Sequence, residues 1–381
     1  MKQLLFVLIF ISIFAGCKTE KKESKKLINS LPLNAYFQNS ELPAAIMGYS
    51  TKEGKMEWYA FGPSIWGGND TINENNIFRI YSMTKAIASV AALQLVEQSL
   101  IGLDDPLDEL MPEMTSIPIL TEKGELVEAK KIITLRHLLT NTAGFGYKFM
   151  SPRLQAFDVS EWKFDDYPRF FEPGEQWLYG TNLDWVGKII EKISGQDLET
   201  YLRINVTGPL KMNSTWFNVP ENLQENIVSW GTRDSTGFQE HPRLPFKSVA
   251  EYSAGGGLFG SPKDYLTFLK CILNYGKFDG GQILKPKTVE LMFKNHLPND
   301  ITIQDGDTHG LTWAIEDSAD EMVRSKGSGY WGGLANSFYS IDKEKDVAIV
   351  YFTNFFPYGD KETLDFYRLF EKEVYTSLIT K

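Results

Sequence analysis

Residues 77–100 read Ile-Phe-Arg-Ile-Tyr-Ser-Met-Thr-Lys-Ala-Ile-Ala-Ser-Val-Ala-Ala-Leu-Gln-Leu-Val-Glu-Gln-Ser-Leu. The first five residues are a short apolar run. From Met83 onward, Ala86, Ile87, Ala88, Leu93, Leu95 and Val96 leave almost no polar face, so the spacing predicts a helix buried on all sides, ended by Gly102. Upstream, residues 45–50 and 58–61 have the pattern of two strands around the polar turn 51–55. Downstream, from about Asp104 to Arg243, the pattern is of helical pieces (135–140, 183–193, 198–204) between Gly- and Pro-bearing loops. A capped helix start at Ser261-Pro262 opens a helix to about Asn274. Strand patterns return at 311–315, 336–341 and 347–352. An amphipathic helix over 361–378 carries Phe366, Phe370, Val374 and Leu378 on one stripe. Strands at both ends and helices between them predict an α/β part built from residues 34–104 and 244–381, with a helical insertion at 105–243.

Composition narrows the function classes. The chain has 381 residues, 43% hydrophobic, and 39 basic against 49 acidic side chains, a formal charge of −10. That surface opposes phosphate-backbone binding, so no nucleic-acid partner is expected. The four histidines, His137, His241, His296 and His309, are dispersed and form no HExxH pair, which disfavours a zinc centre. Cys17 and Cys271 are too few for a disulfide framework. No metal or cofactor is expected.

The N-terminus differs from the rest. One lysine precedes an apolar run from Leu4 to Ala15, and Ala15-Gly16 precede Cys17, the pattern of a signal peptide over residues 1–16. The run is too short to span a bilayer as a helix. Phe14-Ala15-Gly16-Cys17 resembles a bacterial lipobox, which implies cleavage before Cys17 and lipidation of its thiol. Residues 18–26 hold five lysines and two glutamates with no apolar side chain, so residues 17–33 are expected to be a solvated tether. The remaining body is at −14.

Three Ser-x-x-Lys tetrads occur: Ser82/Lys85, Ser160/Lys163 and Ser340/Lys343. On a helix this spacing puts both side chains on one face, where the lysine can serve the serine's proton chemistry. Ser340 falls in a strand pattern, where the spacing separates the side chains. Ser160 lies in an acidic, surface-like stretch. Ser82 opens the buried helix, whose free N–H groups can stabilise an oxyanion, and desolvation is expected to lower the pKa of Lys85. A capping serine beside a snorkelling lysine fits the tetrad equally well on these grounds. Gly255, Gly257 and Gly260 satisfy GxGxxG, but the preceding residues 247–252 are no buried strand, so a close-packed turn is expected there instead of a dinucleotide site. No GxSxG is present.

Tyr81-Ser82-Met83-Thr84-Lys85-Ala86, Gly102-Leu103-Asp104-Asp105-Pro106, Ile133-Thr134-Leu135-Arg136-His137-Leu138-Leu139, Pro173-Gly174-Glu175 and Gly255-Gly256-Gly257-Leu258 occur in this order across the body. The series resembles the serine β-lactamase and penicillin-binding protein superfamily. The resemblance implies an antiparallel sheet flanked by helices, formed by both chain ends, with an inserted helical subdomain. Tyr179-Gly180-Thr181-Asn182-Leu183-Asp184-Trp185-Val186-Gly187 is similar to the pattern of the family's esterase branch, as is Trp331-Gly332-Gly333. The resemblance implies Ser82 as nucleophile, Lys85 and Tyr179 sharing the proton transfers, and Trp331, Gly332 and Gly333, with Tyr330 and Thr181, on the substrate or oxyanion side. Tyr147, Trp177 and Tyr252 are further candidates for an acyl pocket. The Lys-Thr-Gly element of β-lactamases is missing, and Lys326 is one residue from its place.

The expectation is thus a serine hydrolase working through an acyl-enzyme on carboxylic esters of modest size. As an exported lipoprotein it would sit on a periplasm-facing membrane of the bacterial envelope. Alternatives are a D-alanyl peptide hydrolase or weak β-lactamase, with an amide or β-lactam substrate, and a binding or sensing lipoprotein with little turnover.

Overall fold

The structure, a computed structural model, describes residues 28–241, 246–298, 301–303, 306–318 and 323–379. The signal peptide, Cys17 and the lysine-rich stem up to Lys26 lie outside the described residues.

Seven strands form the main sheet: β1 (Ala45–Thr51), β2 (Glu57–Phe61), β3 (Thr308–His309), β4 (Ala314–Ile315), β5 (Gly329–Gly333), β6 (Ser337–Asp342) and β7 (Val347–Phe352). Their order is β3-β4-β5-β6-β7-β1-β2, every neighbouring pair antiparallel, so the N-terminal hairpin joins the C-terminal strands through β1 and β7. This is the antiparallel sheet, shared by both chain ends, that the resemblance implies. The pairing sets Met47 opposite Tyr351 and Ile46 opposite Phe352.

Both faces of the sheet are covered, and the strand alternation shows how. Ala45, Met47, Tyr49, Ile349 and Tyr351 face a cluster completed by Leu33, Phe366, Phe370 and Val374. These come from α1 (Leu31–Gln38) and α5 (Lys361–Ile379), whose period-four stripe is the one predicted. Ile46, Ala348, Val350 and Phe352 face the larger cluster, to which α2 (Thr84–Glu97) and α4 (Pro262–Leu273) contribute. Every residue of α2 from Thr84 to Leu95 is buried, and α3 (Asn182–Ser194) packs against it.

Two expected boundaries need correction. The stem does not reach residue 33: Ile28 and Leu33 are buried against the sheet, because α1 needs its own apolar side to hold it under α5. The segment 105–243 is not purely helical. Trp230–Asp234 and Gly237–His241 form a hairpin, and the first of these strands pairs in parallel with Phe355–Phe356 at the C-terminal end. The partner of its first strand lies more than a hundred residues further along the chain, where local pattern does not reveal it.

Candidate active site

The chain reaches α2 through one 3₁₀ turn, Tyr81–Met83. Tyr81 has φ 45°, left-handed for a residue with a side chain, and this bend turns the Ser82 side chain out of the core. Several contacts hold the bend. The Tyr81 ring meets Phe356 edge-on at 5.7 Å, and the Arg79 guanidinium lies 4.7 Å from its centroid. Tyr265 donates its hydroxyl proton to the Met83 carbonyl at 2.9 Å, and Thr84 Oγ1 accepts the Leu258 N–H at 3.1 Å. From β5, Gly333 comes so close that a Cβ would stand 2.5 Å from the Ile80 carbonyl oxygen.

Ser82 is half-buried and Lys85, one turn on, is buried. Lys85 Nζ lies 3.3 Å from Ser82 Oγ, 3.0 Å from the Tyr147 hydroxyl and 2.5 Å from the Gly255 carbonyl oxygen. An ammonium has three donors and no acceptor, and a carbonyl can only accept, so this shell suits a protonated lysine. Burial lowers the Lys85 pKa, but the Tyr147 and Tyr179 oxygens and the Asp184 carboxylate outweigh it and raise the pKa above its ordinary value. The expectation of a lysine lowered by desolvation is therefore corrected: α2 is apolar, but the loops facing it bring oxygens. Burial, opposed by Lys85, pushes the Tyr147 phenol up.

Tyr179 is beside Lys85 but in a different relation. The ammonium lies 4.7 Å from its ring centroid, and its hydroxyl accepts from the Trp331 indole N–H at 3.3 Å. Tyr147 and Tyr179 meet edge-on at 5.3 Å, and the Tyr179 and Trp331 rings are tilted against each other at 5.2 Å. The loop at 140–144 sets both tyrosines. Leu178 N–H donates to the Asn141 carbonyl at 2.9 Å, and Asn182 Nδ2 donates to Asn141 Oδ1 at 3.1 Å and the Phe145 carbonyl at 3.3 Å. Beneath them His309 is buried, with its ring near Trp331 and Asn141 Nδ2 3.4 Å from its Nε2, and burial pulls its pKa down to about 4.

The structure thus brings together Ser82, Lys85, Tyr179 and Trp331, with Gly333 behind the turn. Trp177 joins them, stacked on Tyr179 at 6.4 Å, but Tyr330, Thr181 and Gly332 are turned to other partners. Tyr330 bonds its hydroxyl to Asp307 and carries the Arg324 guanidinium 4.0 Å from its ring centroid, because successive strand residues face opposite ways. Thr181 is buried at the start of α3, where its carbonyl accepts the Asp184 N–H at 3.0 Å. Gly332 packs on its neighbour strand, where a Cβ would be 2.8 Å from the Phe338 ring. Of the other tetrads, Ser340/Lys343 separates, Ser340 donating to Glu371 at 3.0 Å while Lys343 sits 4.1 Å from the Phe293 ring centroid, and Ser160 and Lys163 are both exposed. Lys326 is paired with Asp317 at 2.8 Å on the surface. Tyr147, a pocket candidate in sequence, proves to be a ligand of the lysine. Its only sequence signal was an aromatic near a family motif.

The model of the β-lactamase family matches residues 49–373. The chain belongs to this family. Within it, the similarity runs to the acyltransferase and esterase branch. Monacolin J acid methylbutanoyltransferase of Aspergillus terreus is 32% identical over 78% of this chain and 81% of its own. Lovastatin esterase of Penicillium rubens is 28% identical over 58% of this chain and 60% of its own. Among solved structures, a simvastatin synthase variant from Aspergillus terreus superposes with a TM-score of 0.85 at 27% identity, covering 92% of this chain and 95% of that one. The β-lactamase fold and an enzyme of the serine acyl-enzyme hydrolase or transferase type follow from these matches.

Proposed function

We propose that the protein is a serine hydrolase that takes the acyl group of carboxylic esters of modest size onto Ser82 and releases it to water. The observation that carries this reading is the Lys85 ammonium with its three acceptors, one of them Ser82 Oγ at 3.3 Å. An N–H donated to Oγ stabilises the alkoxide that develops as the serine attacks. Acting as the phenolate, Tyr179, with the Trp331 N–H on its oxygen and the ammonium over its ring, takes the serine proton. The Oγ–carbon bond forms, and backbone N–H groups at Ser82 and at the Trp331 strand receive the oxyanion. The ester C–O bond then breaks, the proton passes to the leaving alkoxide, and water repeats the sequence to free the acid. Lys326 is committed to Asp317, and the Lys-Thr-Gly element is absent, which favours esters over β-lactams or D-alanyl peptides.

A second reading has its own support: the acyl group passes to an alcohol, as the names of the acyltransferase relatives describe for those proteins. The test is turnover of p-nitrophenyl butyrate by the wild type and Ser82→Ala, with and without an added alcohol, beside a chromogenic cephalosporin and a D-Ala-D-Ala peptide. Acid product that vanishes in the variant supports hydrolysis, and a new ester in the presence of alcohol supports transfer. Equal rates in both proteins overturn the nucleophile, and cephalosporin or peptide turnover with inert esters overturns the substrate class.

The same proposal places the enzyme on a membrane of the cell envelope through a lipid on Cys17. Cys17→Ala should leave the protein in the soluble fraction, and a variant that still sediments with membranes contradicts the anchor.

A further inference from the structure

Asp184 stands in the first turn of α3, five residues after Tyr179, and is buried at 7% exposure. Its Oδ1 accepts the Ser253 hydroxyl at 2.6 Å and the Gly255 N–H at 3.1 Å, while its Oδ2 is buried without a hydrogen-bond partner. The two bonds to Oδ1 need only a neutral acceptor, which an asparagine would supply without the penalty of burying a charge. A carboxylate in a first helical turn also complements the helix dipole, but an exposed one does this equally well. What the buried carboxylate adds is negative charge, and the positive group it meets is Lys85.

The link between them is one residue. Gly255 gives its N–H to Asp184 and its carbonyl to Lys85 Nζ, the latter at 2.5 Å. Glycine is required here, since a Cβ at 255 would lie 2.3 Å from Asp184 Oδ2. We propose that Asp184 is the positioning residue of the site: it orients the Ser253–Gly255 segment whose carbonyl holds Lys85, and its charge helps to hold the buried ammonium in that place.

The groups facing Asp184 are Lys85 from α2 and, from the loop before α3, Asp165, itself paired with Lys188; Tyr147 faces the lysine from the 140–150 loop. Burial raises the Asp184 pKa, opposed by Lys85 and by the bonds from Ser253 and Gly255. Protonation on the acid side removes the charge that holds the ammonium against the Gly255 carbonyl, so the acid limb of kcat follows Asp184 through the position of Lys85 and not through its ionisation.

The inference rests on the acyl-enzyme reading of Ser82 and Lys85. The test is ester hydrolysis by the full chain across pH for the wild type, Asp184→Asn and Ser253→Ala, with circular dichroism as the check of folding. Asp184→Asn should lower kcat by at least about tenfold with KM within about threefold, and lose the acid limb. Ser253→Ala, which keeps the charge but removes a donor to it, should move the acid limb to higher pH. A folded Asp184→Asn with wild-type kcat and acid limb overturns the inference. If that variant does not fold, a Ser253→Ala acid limb coincident with the wild type's does so. A wild type inert to esters and to a fluorophosphonate overturns the acyl-enzyme reading and this inference together, whereas an active wild type with indifferent variants overturns the inference alone.

Discussion

Lys85 Nζ lies nearer to the Tyr147 hydroxyl, at 3.0 Å, than to Ser82 Oγ, at 3.3 Å. Tyr147 also lies between the rings of Phe149 and Phe164, stacked at 5.0 and 5.9 Å, so its oxygen is fixed in place for the ammonium. Tyr147→Phe keeps the stack and removes only the acceptor. A hydrogen bond to a charged group contributes about 1.5–3 kcal/mol, so kcat for p-nitrophenyl butyrate should fall by about tenfold or more, with KM little changed. Steady-state kinetics on the variant, with its unfolding midpoint alongside, checks this.

Gly333 and the Ile80 carbonyl make the next prediction. A methyl group at 333 would meet that oxygen at 2.5 Å, and the only relief is movement of β5 or of the turn carrying Ser82. Gly333→Ala should cost about 1–3 kcal/mol of stability, the range of overpacking in a core. Because the displaced element is the nucleophile's own turn, ester turnover at a temperature where the variant is fully folded should fall as well. Denaturant titration and kinetics at that temperature measure the two effects separately.

His309 makes the stability of the protein depend on pH. Its pKa is pulled from the ordinary 6.5 down to about 4 in the folded chain, so the unfolded chain binds the extra proton between these values. Its contribution is therefore unchanged above about pH 6.5 and is lost as pH falls towards 4, by about 3 kcal/mol in total. His309→Gln should flatten the acid side of the unfolding midpoint plotted against pH, read by thermal melts from pH 7 to 4. An unchanged slope in the variant contradicts the assignment.

Much of this arrangement was legible before the structure. The all-round apolar helix, the strands at both chain ends and the stripe Phe366, Phe370, Val374 are local patterns with a fixed period, and local periodicity survives into the fold. Ser82 and Lys85 were legible because three residues on a helix define one face. What was missed depends on distance along the chain. Tyr147 stands 62 residues from Lys85, and Gly255 stands 170, so neither spacing carries information about the contact. The same distances explain the pKa of Lys85. Its own helix predicts desolvation, and the oxygens that reverse the shift arrive from remote loops. The hairpin at 230–241 was hidden for the matching reason, its partner being the C-terminal segment Phe355–Phe356.

The central claim is that Ser82, opened by the Tyr81 bend and held by Lys85, is the nucleophile. The most direct measurement is reaction of the purified protein with a fluorophosphonate, followed by mass spectrometry of the labelled peptide, for the wild type and Ser82→Ala. The account predicts a single adduct on Ser82 in the wild type and none in the variant. An adduct on Ser160, Ser340 or another serine, or labelling that persists in Ser82→Ala, would contradict it.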